Sequence, residues 1–197
     1  MTVIMHSSVS LDGFSAGPRI SLDHPLGEGG ERLHTWMPDE PELTAALSEE
    51  SGATIIGRRM YDVGVDLWKD VPFPGRCFVL THEVRADREM RSGSFTFVDD
   101  GPQSALDQAR AAAGDKTVVV LGGAEVCQQF LRAGLIDEIR LQLVPVLFGA
   151  GTRLLDNLDP RQIELQPLDT ITSENKDVTH LRYRVIRSTS QGSRCIR

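Results

Sequence analysis

Cysteine is sparse in this 197-residue chain, and the three that occur, Cys77, Cys127 and Cys195, are widely separated and odd in number. Such a set offers neither a disulfide framework nor the paired spacing of a zinc site, so reduced thiols are expected. Long apolar runs are also missing. The longest, Val118–Leu121 and Leu143–Phe148, fall far short of the ~20 residues of a membrane helix. Positive charge is in deficit: 21 Lys and Arg face 28 Asp and Glu, a net charge of −7. No basic stripe interrupts that balance, which counts against nucleic acid as a partner. The start, Met1-Thr2-Val3-Ile4-Met5-His6, lacks the basic and long apolar regions of a signal peptide, so a cytoplasmic protein is expected. Neither a G-x-S-x-G elbow nor an H-E-x-x-H pair occurs, which excludes hydrolases built on them.

What is present is an ordinary globular composition, 40% hydrophobic and 25% charged, in a length that suits one large domain. That domain is expected over 1–187, with the polar, aperiodic residues 188–197 as a loose tail. β-branched or alternating runs predict strands at Val3–Ser8, Ala53–Ile56, Cys77–Thr81, Phe95–Val98, Thr117–Leu121, Glu138–Val144, Ile163–Leu168 and Thr179–Ile186, about eight in all. Helices are expected over Pro41–Ser51, Arg58–Val63, Pro102–Ala113 and Ala124–Ala133. The fold class is therefore α/β. Thr117–Leu121 is nearly all apolar, as a parallel strand covered on both faces requires. Glu138, Arg140 and Gln142 alternate with Ile139, Leu141 and Leu143, predicting a strand with one wetter face. The last three strands follow one another without a helix, so an antiparallel pair is expected and the sheet is mixed. Residues 17–37, rich in Gly and polar groups, read as a long loop, a common place for function.

The most informative motif is Val118-Val119-Val120-Leu121-Gly122-Gly123-Ala124-Glu125-Val126, a buried strand passing through two glycines into a helix. Glycines admit a ligand close to the backbone, and the free N–H groups of the helix start attract phosphate. The third glycine of the dinucleotide fingerprint G-x-G-x-x-G is missing. A tight turn with no ligand is the competing reading. A second strand ends at Ile55-Ile56-Gly57-Arg58-Arg59, placing two guanidinium groups at a helix start, where the dipole disfavours cations unless an anion is bound. One of them is suited to the 2′-phosphate that separates NADPH from NADH; pairing with Asp62 or Asp66 is the alternative. A third strand ends at Thr81 and His82, and Ser10-Leu11-Asp12-Gly13 forms a turn after the first strand, whose aspartate either faces a substrate or caps its own backbone.

In this order, from Val3 to about Val185, the motifs resemble the reductase family that includes dihydrofolate reductase. They are most similar to the reductase domain of bifunctional riboflavin-biosynthesis enzymes. The likeness is most specific at Val120–Gly123, followed by Gly134–Ile139 and Pro145–Gly151. The resemblance implies a dihydrofolate-reductase-like fold, hydride transfer from NADPH to a C=N or C=O bond of a small heterocycle or carbonyl compound, no metal, and a homodimer. It implies adenosine 2′-phosphate near Arg58, Thr81 and His82, and pyrophosphate near Gly57, Arg59, Gly122, Gly123, Ala124, Glu125 and Val126. The nicotinamide is expected by Ser10, Asp12 and Gly13. The H-x-E and P-C-x-x-C zinc signature of the bifunctional enzyme is absent, so that two-step activity is not expected. The acid that aids pterin protonation in dihydrofolate reductases has no clear match; Glu31 and Glu42 are nearby acids.

For a reductase the protein must align two carbon centres, exclude water and supply a proton. Asp12 is the candidate donor, with a bound water as the other route. Phe14, Trp36, Tyr61 and Trp68 are candidate walls for a flat substrate. A dimeric module that binds NADPH without turnover is the alternative function.

Overall fold

In the computed structural model, residues 1–68, 75–91, 93–158, 163–174 and 177–186 are described. The tail expected over 188–197, with Cys195, lies outside the described residues. A nine-stranded sheet runs in the order β10-β11-β8-β1-β7-β3-β4-β6-β5. Its strands are β1 (Val3–Ser10), β3 (Ser51–Gly57), β4 (Gly75–Leu80), β5 (Arg88–Glu89), β6 (Gly93–Val98), β7 (Thr117–Gly122), β8 (Glu138–Val144), β10 (Glu164–Thr172) and β11 (Thr179–Ile186). From β8 across to β6 every neighbouring pair is parallel. Antiparallel strands β11, β10 and β5 flank this block. A separate ribbon pairs β2 (Phe14–Ala16) with β9 (Thr152–Arg153). The ribbon and β5 are only two or three residues per strand, too short to show a period, which is why the expected count was lower.

The helices are α1 (Pro41–Glu50), α2 (Arg58–Gly64), α3 (Pro102–Ala113) and α4 (Ala124–Arg132). Pro102 opens α3 with a φ already fixed for a helix, and Gly114, at φ 60°, ends it. The small residues Ala105, Ala109 and Ala113 beside Leu106 let α3 lie close on the sheet. Alternation decides which side each residue serves. Ile55, Phe78, Val118 and Val120 join the core under α3 and α4, whereas Ile56, Cys77 and Val79 face α2 with Tyr61, Val65 and Phe95. Val118, Val119 and Val120 are at most 1% exposed, each stabilising the fold by roughly 1.5–3 kcal/mol. Cys77 and Cys127 are free and buried. Burial pushes the Cys127 thiol up to about 12 and raises Cys77 as well, so both act as core side chains.

The α1 helix buries none of its residues, because it roofs a cleft instead of resting on the sheet. The polar phase of β8, expected as its wetter face, forms the floor of that cleft together with the polar phase of β11. Arg140, Gln142, His180 and Arg182 all line it. The alternation was legible, and only its destination differs.

Candidate active-site cleft

A cleft of about 1090 Å³ opens on the sheet face covered by α1 and α2. It reaches the carboxyl ends of β3, β4 and β7 at Gly57, at Leu80 and Thr81, and at Leu121 and Gly123, where ligands gather in open α/β sheets. Its volume lies at the top of the range for single small-molecule sites, with room for two ligands side by side.

At one end, Gly57, Arg58, Arg59, Thr81, His82, Gly123, Ala124, Glu125 and Val126 line the wall together. Three separate segments of the chain are thus brought to one place. Gly122 and Gly123 do different work there. Gly122 has φ 108°, a conformation open to glycine, and is absent from the cleft wall. Gly123 has φ −59° and ψ −171°, and a Cβ built on it meets nothing within 4 Å. Gly122 makes the turn, and Gly123 keeps the space in front of α4 open. Val126, Cys127, Phe130 and Leu131 anchor that helix in the core.

The two arginines also differ. Arg58 Nη1 donates to Asp62 Oδ2 at 3.1 Å and lies 3.8 Å from Glu83 Oε1; Arg85 bridges the same two carboxylates. Arg58 is therefore oriented by a four-charge network while it lines the cleft. Arg59 lines the cleft too and makes no ion pair among the described residues. Thr81 is buried, and its hydroxyl accepts from Glu83 N–H at 3.0 Å. A glycine-lined opening before a nine-residue helix, flanked by one oriented and one free guanidinium, suits a dinucleotide phosphate.

The Ser10–Gly13 turn departs from expectation. Asp12 accepts from Ser10 Oγ at 2.6 Å, from Phe148 N–H at 3.1 Å and from Gly149 N–H at 2.7 Å. The Ser10 hydroxyl and the two backbone amides hold its carboxyl at about 2, so it is ionised near neutrality and has no proton to give. Asp12 closes the turn against the 145–149 segment instead of serving as the donor. Ser10 is fully buried, its Oγ also accepting from Phe14 N–H, and neither it nor Gly13 lines the cleft.

Two of the four aromatic candidates prove to be structural. Tyr61 is edge-on to Phe95 and Phe97 with ring centroids at 4.9 Å, inside the α2 core. Phe14 is buried beneath the Arg153 guanidinium, 4.5 Å from its centroid. Trp36 and Trp68 do line the cleft, Trp36 fixed by its indole N–H to Leu33 O at 3.0 Å and Trp68 stacked on Phe95. Glu31 and Glu42 are exposed and outside the wall.

The other end of the cleft holds residues that sequence reasoning missed: His6, Ser8, His34, Gln142 and His180. All but His34 belong to a polar phase shared by β1, β8 and β11, whose meaning is visible only once the sheet order sets those strands side by side. His6 is held down to about 4, first by burial and then by Arg140, His180 and His34; burial also lowers His34. Because the folded value lies below the ordinary imidazole value of about 6.5, the unfolded chain binds the extra proton. Stability is full above the unfolded value and falls as pH drops toward the folded one. The ceiling for His6 is about 3 kcal/mol. His6→Gln is expected to flatten the dependence of melting temperature on pH between about 6.5 and about 4. A wild-type slope in that variant would contradict the assignment.

The chain belongs to the RibD C-terminal domain family, whose model matches residues 1–179. It is 24% identical to the uncharacterized protein YwjB of Bacillus subtilis over 79% of this chain and 83% of that protein. Solved structures show the same fold at lower identity. A Shewanella sp. PV-4 protein, provisionally assigned to riboflavin biosynthesis, matches with a TM-score of 0.70 and 22% identity over 95% of this chain and all of that one (100%). Dihydrofolate reductase from Enterococcus faecalis, complexed with NADP(H) and RAB-propyl, matches at 0.58 and 13% over 93% and 96% of the two chains. The Thermotoga maritima deaminase/5-amino-6-(5-phosphoribosylamino)uracil reductase matches at 0.61 and 15% over 94% of this chain and 56% of that one. The architecture is dihydrofolate-reductase-like, with a mostly parallel sheet and antiparallel C-terminal strands. Among the described residues no helix is long and apolar enough to cross a membrane, and no group of three or more His, Cys, Asp or Glu side chains is arranged to hold a metal.

Proposed function

We propose that the protein is an NADPH-dependent reductase of a small heterocyclic or carbonyl acceptor, acting in the cytoplasm as a homodimer. The observation that carries the reading is the convergence of Gly57, Arg58, Thr81 and the open Gly123–Val126 turn on one wall of a cleft with room for a second ligand. Membership in the RibD C-terminal family and the NADP(H) bound by the Enterococcus faecalis neighbour support it.

Arg58, steadied by Asp62 and Glu83, would hold the 2′-phosphate with Thr81 and His82. Arg59 and the free N–H groups of α4 would hold the pyrophosphate. NADPH, when bound, supplies the hydride. The chain's own task is to present an acceptor beside it and to shut out water, which the apolar roof residues Leu43 and Leu47 and the indole of Trp36 serve. With Asp12 committed to its turn, the proton comes from water held at the cleft floor. Titration by quenching of nicotinamide fluorescence tests the cofactor assignment. NADPH is expected to bind at least tenfold more tightly than NADH, and equal affinities would contradict the role of Arg58.

A further inference from the structure

Three adjacent strands turn one polar face toward the cleft. In register, His6, Arg140 and Arg182 form one rung, and Ser8, Gln142 and His180 form the next. The charges of the first rung are matched inside the protein. Arg140 Nε donates to Glu138 Oε1 at 2.6 Å and its Nη groups donate to Glu50, while Arg182 Nε donates to Glu138 Oε1 at 3.0 Å. In the second rung His180 Nε2 lies 2.8 Å from Glu40 Oε2, but other polar atoms of this face are open. Gln142 is 4% exposed, yet among the described residues its Oε1 has no hydrogen-bond partner, and neither do the buried Nδ1 atoms of His6 and His34. Buried polar groups in folded proteins are paired, and a group left open in a cleft wall awaits its partner from outside.

The chemistry of that partner follows from the atoms. Gln142 Oε1 accepts and requires an N–H or O–H; each imidazole nitrogen donates or accepts according to tautomer. Both imidazoles are disfavoured as cations by burial. The alternating N–H and C=O edge of a cyclic amide or imide supplies both kinds of group in one plane. An anion finds no counterpart here. Of the four arginines lining the cleft among the described residues, Arg58, Arg140 and Arg182 are ion-paired, and the free one, Arg59, belongs to the cofactor end. Asp169 adds a further carboxylate to the lining at the floor end.

We infer that Gln142, His6 and His34 read the edge of an uncharged cyclic amide or imide carrying no phosphate, which is the acceptor of the proposed reduction. The acceptor named for the Thermotoga maritima enzyme carries a phosphoribosyl group; this floor selects against one. The inference rests on the reductase reading for the identity of the second ligand.

Its test is calorimetric titration of two matched pairs, uridine with uridine 5′-monophosphate and riboflavin with riboflavin 5′-phosphate, on protein saturated with NADP⁺. For at least one pair the uncharged member is expected to bind tenfold or more tightly than its phosphate ester. Gln142→Leu is expected to weaken that member at least tenfold, with NADP⁺ affinity unchanged. The melting temperature of the free variant should be equal or higher, because the lost amide oxygen had no partner. Tighter or equal binding of the phosphate esters overturns the inference, as does a lowered melting temperature with unchanged ligand affinity. Absence of binding by all four compounds while NADP⁺ binds also overturns it and leaves the cofactor reading standing. If NADP⁺ itself does not bind, the reductase reading fails, and the pairs titrated alone are judged by the same ratio.

Discussion

Gly123→Val is expected to weaken NADPH and NADH alike by about 100-fold, or roughly 2.7 kcal/mol, in a protein that still folds. The backbone of Gly123, at φ −59° and ψ −171°, is open to any residue, and its Cβ position faces empty cleft. A side chain there meets nothing until a ligand arrives, and then it occupies the place of the phosphate. Gly122→Val should behave in the opposite way. At φ 108°, with Cys127 Sγ 3.4 Å from the new Cβ, it strains the turn and lowers stability before any ligand is considered. Thermal unfolding beside cofactor titration separates the two. Wild-type affinity in Gly123→Val would remove this turn from the cofactor site.

The second large effect concerns cofactor choice. Arg58→Gln is expected to weaken NADPH by about 1.5–3 kcal/mol, the scale of a hydrogen bond to a charged group, while leaving NADH nearly unchanged. The ion pairs of Arg58 are half exposed, with 44% of its side chain accessible, so their loss costs little stability. Arg59→Gln is the internal comparison. Its guanidinium makes no ion pair among the described residues and is assigned to the pyrophosphate, so both cofactors should weaken together. Equal losses in Arg58→Gln would reassign the 2′-phosphate.

The glycine-lined end of the cleft, assigned above to the cofactor, could be assembled from sequence because its parts are local. A buried strand, a glycine and a helix start are contiguous in sequence at Ile55–Arg59 and at Val118–Val126, and backbone chemistry gives them meaning without the rest of the chain. The acceptor end was not legible in this way. His6 lies far along the chain from Gln142 and His180, and the three meet only because β1, β8 and β11 are neighbours. Their alternation was visible, but a polar phase facing solvent and one facing a cleft have the same period. The aromatic residues divide for a related reason. Tyr61 and Trp68 flank the same short segment, yet α2 turns one into the core with Phe97 and leaves the other on the cleft wall. Asp12 shows the limit of reading a turn. Its carboxylate was recognised as a capping group or a donor, and only the distant amides of Phe148 and Gly149 decide between them.

The most direct test of the reductase assignment is single-turnover transfer from NADPH deuterated at the transferring position of the nicotinamide, with a panel of unphosphorylated cyclic imides and amides as acceptors. One deuterium should appear on an acceptor carbon, matched by one equivalent of NADP⁺. Tight binding of NADPH with no oxidation across the panel would contradict the assignment and favour a module that binds the cofactor without turnover.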